Sequence, residues 1–329
     1  MAVKKPLFIL SPMDDVTDSV FRRIVSKCAA PDLLFTEFVN VDGLQSPGRA
    51  KLLKKLYFTQ EEVPLVVQLW GKHPENFKKT AQEIASGSLA QELGLPKGVN
   101  FSGVDLNMGC PQKNEVKAGT CSALINDRPL ASEIIKATKA GLRGQLPLSV
   151  KTRLGWNEID FSWPEFILNQ DIVMLTIHGR TRKEMSKVPA HWDAIGEIVK
   201  IKDRIAPQTK LIGNGDVTSR EQGVELAEKY NLDGIMIGRG VFQDPYIFSG
   251  SSPWPTMTPS DRVKLYKKHV LLFKETWSDH SRPIHTLNKF CKIYINGFDS
   301  AKDIREKLMH STSADELIET LDKISFTQD

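Results

Sequence analysis

The sequence predicts a (β/α)8 barrel followed by a small all-helical domain, on three observations. Short β-type runs alternate with helix-spaced segments through eight units. The alternation stops near Phe248 at a Ser- and Pro-rich stretch, and the C-terminal ends of the runs are polar and glycine-rich. The runs are Leu7–Ser11, Leu33–Val39, Leu65–Trp70, Val104–Met108, Leu148–Arg153, Val173–His178, Lys210–Gly213 and Gly234–Gly238. The stretches between them include Asp18–Cys28, Pro74–Ala85, Pro129–Leu142, Trp163–Asn169, Trp192–Lys202 and Ser219–Tyr230, whose apolar residues recur at helical spacing. Two of these carry start signals: Asp18 ahead of the Val20/Ile24/Val25 stripe, and Thr218 ahead of Ser219-Arg220-Glu221. An open doubly wound sheet is the alternative, but it does not usually need eight sequential units.

Residues 249–259, with prolines at 253, 255 and 259, have the composition of a linker. Beyond it, Asp261–Trp277, Pro283–Phe298 and Ala314–Ile324 show helical spacing. The expected organisation is a catalytic barrel over 1–248, a linker over 249–259 and a helical domain over 260–329.

The 40% hydrophobic and 26% charged content is that of an ordinary globular protein, and no apolar run approaches the roughly 20 residues that span a bilayer. Leu7–Leu10 is too short for a signal peptide. Cys28, Cys110, Cys121 and Cys291 are scattered, with no Cys-x-x-Cys pair. That spacing argues for free thiols in a reducing cytoplasm and against a structural metal site. A monomer outside the membrane is expected.

Barrels of this type carry their active sites at the C-terminal strand ends. Those ends read Pro12-Met13-Asp14, Glu37, Gln68, Asn107 with Cys110, Lys151 with Arg153, His178 with Arg180, Gly213-Asn214-Gly215-Asp216 and Gly238-Arg239-Gly240. Each residue alone has a plainer explanation, a solvated charge or a satisfied core group. Seven or eight strands ending this way on one rim argue for a ligand site. Cys110 sits on a turn framed by Gly109 and Pro111, which fixes its position and makes it a candidate acid or nucleophile. Taken alone, the turn fits a small buried residue better, since free cysteine is usually buried. The two glycine turns after the seventh and eighth runs lie where barrel enzymes commonly hold a phosphate, and Arg239 could add a charged contact. Gln68, Lys151 and His178 could meet the polar edge of a ring, with a cation favouring an anionic reduced flavin; the set suits FMN. No Gly-x-Gly-x-x-Gly follows the first run, so a Rossmann-bound nicotinamide is not supported.

Ser11-Pro12-Met13-Asp14, Phe35-Thr36-Glu37, Val67-Gln68-Leu69-Trp70-Gly71, Asp105-Leu106-Asn107-Met108-Gly109-Cys110-Pro111, Val150-Lys151-Thr152-Arg153, His178-Gly179-Arg180-Thr181-Arg182, Gly213-Asn214-Gly215-Asp216 and Ile237-Gly238-Arg239-Gly240 together resemble the tRNA-dihydrouridine synthase family, in family order. The resemblance implies FMN-dependent reduction of the uridine C5–C6 double bond in tRNA, with NADPH as electron donor. It implies hydride delivery from flavin N5 to C6 and protonation of C5 by Cys110. Pro12, Met13, Gln68, Lys151 and His178 would then lie at the flavin, and Asn214, Gly215, Asp216, Gly238 and Arg239 at its phosphate end. Asn107, Arg153 and Arg180 would face the target uridine. The chain departs from the family pattern at Ser11, at Asp14-Asp15, at Glu115-Val116 and at Cys121, which stands where a small residue, often Gly, is expected. Cys121 is expected to pack as a small apolar side chain.

In the tail, residues 262–292 hold eight basic groups against two acidic, a net +6, and residues 293–329 hold four against eight, a net −4. A basic segment suits RNA, although a basic helical face is often simply solvated. Trp277, Phe290 and Tyr294 could stack on bases, but helix-spaced aromatics are more often core. The competing functions are a small-molecule flavin oxidoreductase of dihydroorotate-dehydrogenase type, which has no need of a basic tail, and an RNA-binding protein without catalysis, which has no need of Cys110, Lys151 and His178.

Overall fold

The computed structural model describes residues 5–279 and 281–324. The described residues form eight strands: β1 (Leu7–Leu10), β2 (Leu34–Asn40), β3 (Leu65–Trp70), β4 (Gly103–Met108), β5 (Leu148–Arg153), β6 (Met174–His178), β7 (Lys210–Asn214) and β8 (Gly234–Ile237). All pairings are parallel, in the order β1-β8-β7-β6-β5-β4-β3-β2. An Ile9–Leu33 bridge, with Leu10 N donating to Leu33 O at 3.2 Å, closes the ring. The result is the (β/α)8 barrel.

Each strand sends alternate residues inward, and the inward positions are sorted by depth. Ile9, Phe35, Val66, Met174, Ile212 and Met236 form one closed apolar cluster. Two residues further along the same strands stand Ser11, Glu37, Gln68, Thr176, Asn214 and Gly238. The period of two that lays an apolar floor therefore lifts a polar set to the C-terminal rim. The outward residues pack under helices: Thr152 accepts from the buried Trp163 Nε1 at 2.9 Å. Gly141 lets helix Arg128–Leu142 press onto helix Pro74–Ala85, where a Cβ would stand 2.4 Å from Lys78 O.

The expected helices are present with ends displaced by up to a few residues, except that Pro283–Phe298 resolves into a 3-10 turn, Ile284–Leu287, and a shorter helix, Asn288–Tyr294. The last outer helix of the barrel starts one residue later than its signal suggests, because Ser219 rather than Thr218 caps it by accepting from Gln222 N at 3.1 Å. Helix Ala301–Met309 is additional; its apolar residues, Ala301, Ile304 and Leu308, make a thin stripe.

The described chain packs as two compact units. The first comprises residues up to Ser19 together with Pro31–Gly238; the second joins Val20–Ala30 to the chain from Arg239 onward. The helix over Ser19–Cys28, although flanked by barrel strands in sequence, thus packs with the tail. Phe21 stacks on Phe290 with centroids 4.9 Å apart and also meets Phe242 and His269. Packing also draws the division at 238/239, ahead of the Ser/Pro-rich stretch. Trp277, Phe290 and Tyr294 are buried in this second core, which removes them as exposed stacking platforms. The opposed charge runs of the tail meet in space: Lys267 pairs with Asp322 and Lys274 with Asp315. Asp329, counted in the acidic run, lies outside the described residues.

Candidate active site

The rim is organised around the turn that follows β4. Asn107 Oδ1 accepts from both Gly109 N (3.1 Å) and Cys110 N (3.0 Å), so the strand's last inward side chain caps the turn that carries the thiol. A glycine permits unusual backbone angles, but the φ of Gly109 is not positive. It supplies an absent side chain instead: a Cβ there would stand 3.1 Å from Thr152 Cα on β5. Arg153 completes the support, donating from Nε to Gly109 O at 2.7 Å.

Cys110 is half-buried and Cys121 fully buried. Ser122 N donates to Cys110 O at 3.3 Å, tying the segment after Cys121 to the turn. Cys121 occupies the left-handed region, φ 53°, a conformation glycine would adopt freely. Its S–H donates to Cys110, and that hydrogen bond is the main influence holding the Cys110 thiol below its usual range, against the effect of burial. The Gln112 backbone and the Arg153 charge act in the same direction. The same bond, together with burial, pushes Cys121 well up. Cys121 thus does more than fill space beside the thiol.

Behind the turn runs a chain of hydrogen bonds across three strands. Ser149 Oγ donates to Asp105 Oδ1 (2.6 Å), Gln68 Nε2 donates to Asp105 Oδ2 (2.7 Å), and Asn107 Nδ2 donates to Gln68 Oε1 (3.1 Å). Gln68 and Asp105 are fully buried. Burial pushes Asp105 up to about 6, with Ser149, Gln68 and Lys151 opposing. Lys151, half-buried and without a hydrogen-bond partner among the described residues, is pushed down to about 8, mainly by burial with Arg153 adding to it. A lysine held without a partner beside Asp105 and Cys110 suits a bound anionic group.

Arg153 and Arg180, expected to face the target uridine, are 5% and 2% exposed. Besides Gly109 O, Arg153 donates to Thr181 O (3.1 Å) and Met185 O (2.8 Å). Arg180 donates to Val188 O (2.6 Å) and to His178 Nε2 (2.9 Å), and pairs with Asp216. Asp216, expected at the phosphate, is therefore the counter-ion of Arg180, and it also accepts from Ala190 N at 3.0 Å.

Asn214 donates to Met236 O at 2.8 Å, and Gly215 has φ 141°, where a Cβ would meet Ala190 Cβ at 2.7 Å and His178 Cδ2 at 3.5 Å. Gly238 faces Ser11 and Met13, with Pro12 buried between them in sequence. Side chains at 215 and 238 would project into the rim, so the backbone is left bare where a phosphate is expected. Arg239 opens a 3-10 turn, Arg239–Phe242, and belongs to the second unit. The sequence did not single out Ser149 or Asp105 as site residues. The signal was their parity: Ser149 shares a face with Lys151 and Arg153, and Asp105 with Asn107.

A polar rim above a closed apolar floor, with a fixed thiol at a strand end, is the arrangement of a TIM-barrel enzyme. The chain belongs to the dihydrouridine synthase family: the family model described as Dihydrouridine synthase (Dus) matches residues 9–328. A probable tRNA-dihydrouridine synthase of Staphylococcus aureus (strain COL) is 44% identical over 328 residues, covering 99% of this chain and 95% of that one. Probable tRNA-dihydrouridine synthase 2 of Bacillus subtilis (strain 168) is 44% identical over 321 residues, covering 97% and 94%.

Proposed function

We propose that the protein is a tRNA-dihydrouridine synthase, which reduces the C5–C6 double bond of a uridine in tRNA with FMN as cofactor and NADPH as electron donor. The observation that carries this, in a chain of that family, is the Cys110 thiol fixed by Asn107 beside Lys151, whose ammonium has no hydrogen-bond partner among the described residues. Bound flavin would supply hydride from N5 to uracil C6.

The chain's own groups do the rest. Cys110 donates its S–H proton to C5, which completes the addition of one hydride and one proton across the double bond. Its acidity suits the task, since the Cys121 bond eases loss of the proton. Lys151, predominantly charged at neutral pH, would meet the pyrimidine end of the ring and offset the negative charge that builds there. Gln68 and His178 would meet the same edge, and Pro12 and Met13 would also border the ring. Asn214, Gly215 and Gly238 would hold the phosphate. Arg153 and Arg180 act on the substrate indirectly, by shaping the walls of the base pocket. A base reaches such a pocket only when flipped out of its stack, and the exposed lysines of helix Pro259–Thr276 and its neighbours offer the backbone contacts.

The test is to incubate purified flavin-loaded protein with NADPH and unmodified tRNA and to map dihydrouridine by reverse-transcription stops. Dihydrouridine at defined positions, with NADPH consumed in step, is expected. NADPH oxidation that runs equally fast with free uridine and with tRNA would refute the proposal.

A further inference from the structure

Two thiols meet at the rim, and the reaction proposed for the site uses the proton of only one. The chain between them is folded back on itself. Helix Lys113–Lys117 occupies its middle, Thr120 N and Oγ1 donate to Glu115 O at 3.0 and 2.8 Å, and Ser122 N donates to Cys110 O at 3.3 Å. These bonds hold Cys121 with its S–H on the Cys110 sulfur. Packing does not explain a side chain at 121. The residue is fully buried at φ 53°, a backbone that glycine adopts freely and that strains any L side chain. A thiol kept there against that strain points to a chemical duty.

The two sulfurs differ in access. Cys110 is half-buried, so a small oxidant reaches it, and its lowered acidity range gives it the greater share of reactive thiolate. Cys121 is sealed from solvent and keeps its proton, so it survives as a thiol until its neighbour has reacted.

We propose that Cys110 is a redox modification site with Cys121 as its resolving thiol: hydrogen peroxide converts the pair into a Cys110–Cys121 disulfide, which stops uridine reduction until a dithiol reductant reopens it. The loss of activity rests on Cys110 being the proton donor, whereas the disulfide chemistry does not.

The steps balance. The Cys110 thiolate attacks one peroxide oxygen; an S–O bond forms, the O–O bond breaks, and the departing hydroxide takes up a proton as water. Cys110 becomes a sulfenic acid, oxidised by two electrons, and the peroxide is reduced. The Cys121 sulfur then attacks the Cys110 sulfur; an S–S bond forms, the S–O bond breaks, and the Cys121 proton leaves with the hydroxide as a second water. Burial disfavours a thiolate at 121, but fixed adjacency to the sulfenic sulfur offsets this. Without a resolving thiol, further peroxide carries the sulfenic acid to sulfinic acid, which thiols do not reduce.

The test treats flavin-loaded protein with hydrogen peroxide, removes the excess with catalase, blocks free thiols and maps tryptic peptides by mass. Cleavage after Lys113 and Lys117 separates the two cysteines, so a disulfide appears as a linked peptide pair. Wild type should yield that pair. Its dihydrouridine formation on tRNA should fall about 10²-fold, as loss of a general acid does, and return with dithiothreitol. In Cys121→Ala, measured against its own untreated rate, dimedone should trap a sulfenic acid at Cys110. Prolonged peroxide should leave that variant with a loss that dithiothreitol does not reverse.

Four results overturn the proposal: wild-type Cys110 recovered as sulfinic acid, Cys110 linked to another cysteine, wild-type activity unchanged by peroxide, or a variant restored as fully as wild type. The peptide map needs only wild-type protein, so it decides even if the variant does not fold. A Cys110–Cys121 disulfide in protein that never forms dihydrouridine would instead remove the functional reading and leave the modification chemistry standing, so the two failures are distinguishable.

Discussion

Arg180 Nη1 lies 2.9 Å from His178 Nε2. A guanidinium can only donate, so Nε2 must carry the lone pair and Nδ1 the proton. The site therefore holds His178 as a neutral imidazole in one tautomer, set by an arginine that is itself bonded to Val188 O and Asp216.

Arg180→Lys should show that geometry matters here as well as charge. Lysine retains the cation but cannot serve Val188 O, His178 and Asp216 in three directions. Nitrogen-15 NMR at pH 8 should report an Nδ1–H tautomer for His178 in wild type and loss of that preference in the variant. Uridine reduction should fall about tenfold. An unchanged tautomer in Arg180→Lys would refute the assignment.

Cys110→Ala should retain bound flavin and NADPH oxidation while dihydrouridine formation falls about 10²- to 10⁴-fold, the usual contribution of a general acid. Product at the wild-type rate would remove Cys110 from the mechanism. Cys121→Ala should raise the Cys110 thiol by deleting the hydrogen bond that lowers it, so Cys110 alkylation at pH 7 should slow. Faster alkylation would contradict that contact.

Lys151 offers a pH test with a defined sign. Its folded value is about 8 and its unfolded value about 10.4, so the unfolded chain binds more protons between them. Stability of the flavin-free protein should rise with pH through that window, the cost of the buried charge being fully present below it. Lys151→Met should thus be more stable than wild type at pH 7, by about 1–2 kcal/mol after allowance for partial exposure. The gap should close toward about pH 10.4, and the variant should bind flavin more weakly. A variant that is less stable at pH 7 would count against a strained lysine.

Lys268, Lys289 and Lys292 are exposed in the second unit, whereas Lys267 and Lys274 are paired with acidic partners. Replacing each of the first three with Ala should weaken tRNA binding similarly across tRNA sequences. It should also lower the salt slope of affinity by about one for each phosphate no longer neutralised, measured by filter binding at several salt concentrations. An unchanged slope in the triple variant would place the RNA elsewhere.

The strands were legible in the sequence because period-two alternation and terminal glycines survive without tertiary information, as in Val104–Met108 and Gly234–Gly238. The rim was legible as a set for the same reason. The duties of its members were less so. The family resemblance implies that Arg153 and Arg180 face the substrate. Their carbonyl partners, Thr181, Met185 and Val188, lie on loops whose course no periodicity reveals. Charge blocks in the tail misled in the opposite way: Lys274 and Asp315 are far apart in sequence, and only helix packing sets them side by side. Asp105 was visible as a polar inward residue, but its bond to Gln68 shows only once β3 and β4 are known to lie side by side.

The two-residue step from Val66 to Gln68 and from Ile212 to Asn214 also sets what kinds of genetic change this barrel can bear. Deleting or inserting a single residue within β3 or β7 would turn every subsequent side chain over. A polar group would go into the helical shell and an apolar one into the pocket, so floor and chemistry would fail together. The loops after the strands carry no such phase. Lengthening them leaves the alternation intact, so sequence length should drift in the loops while the strands keep a fixed count.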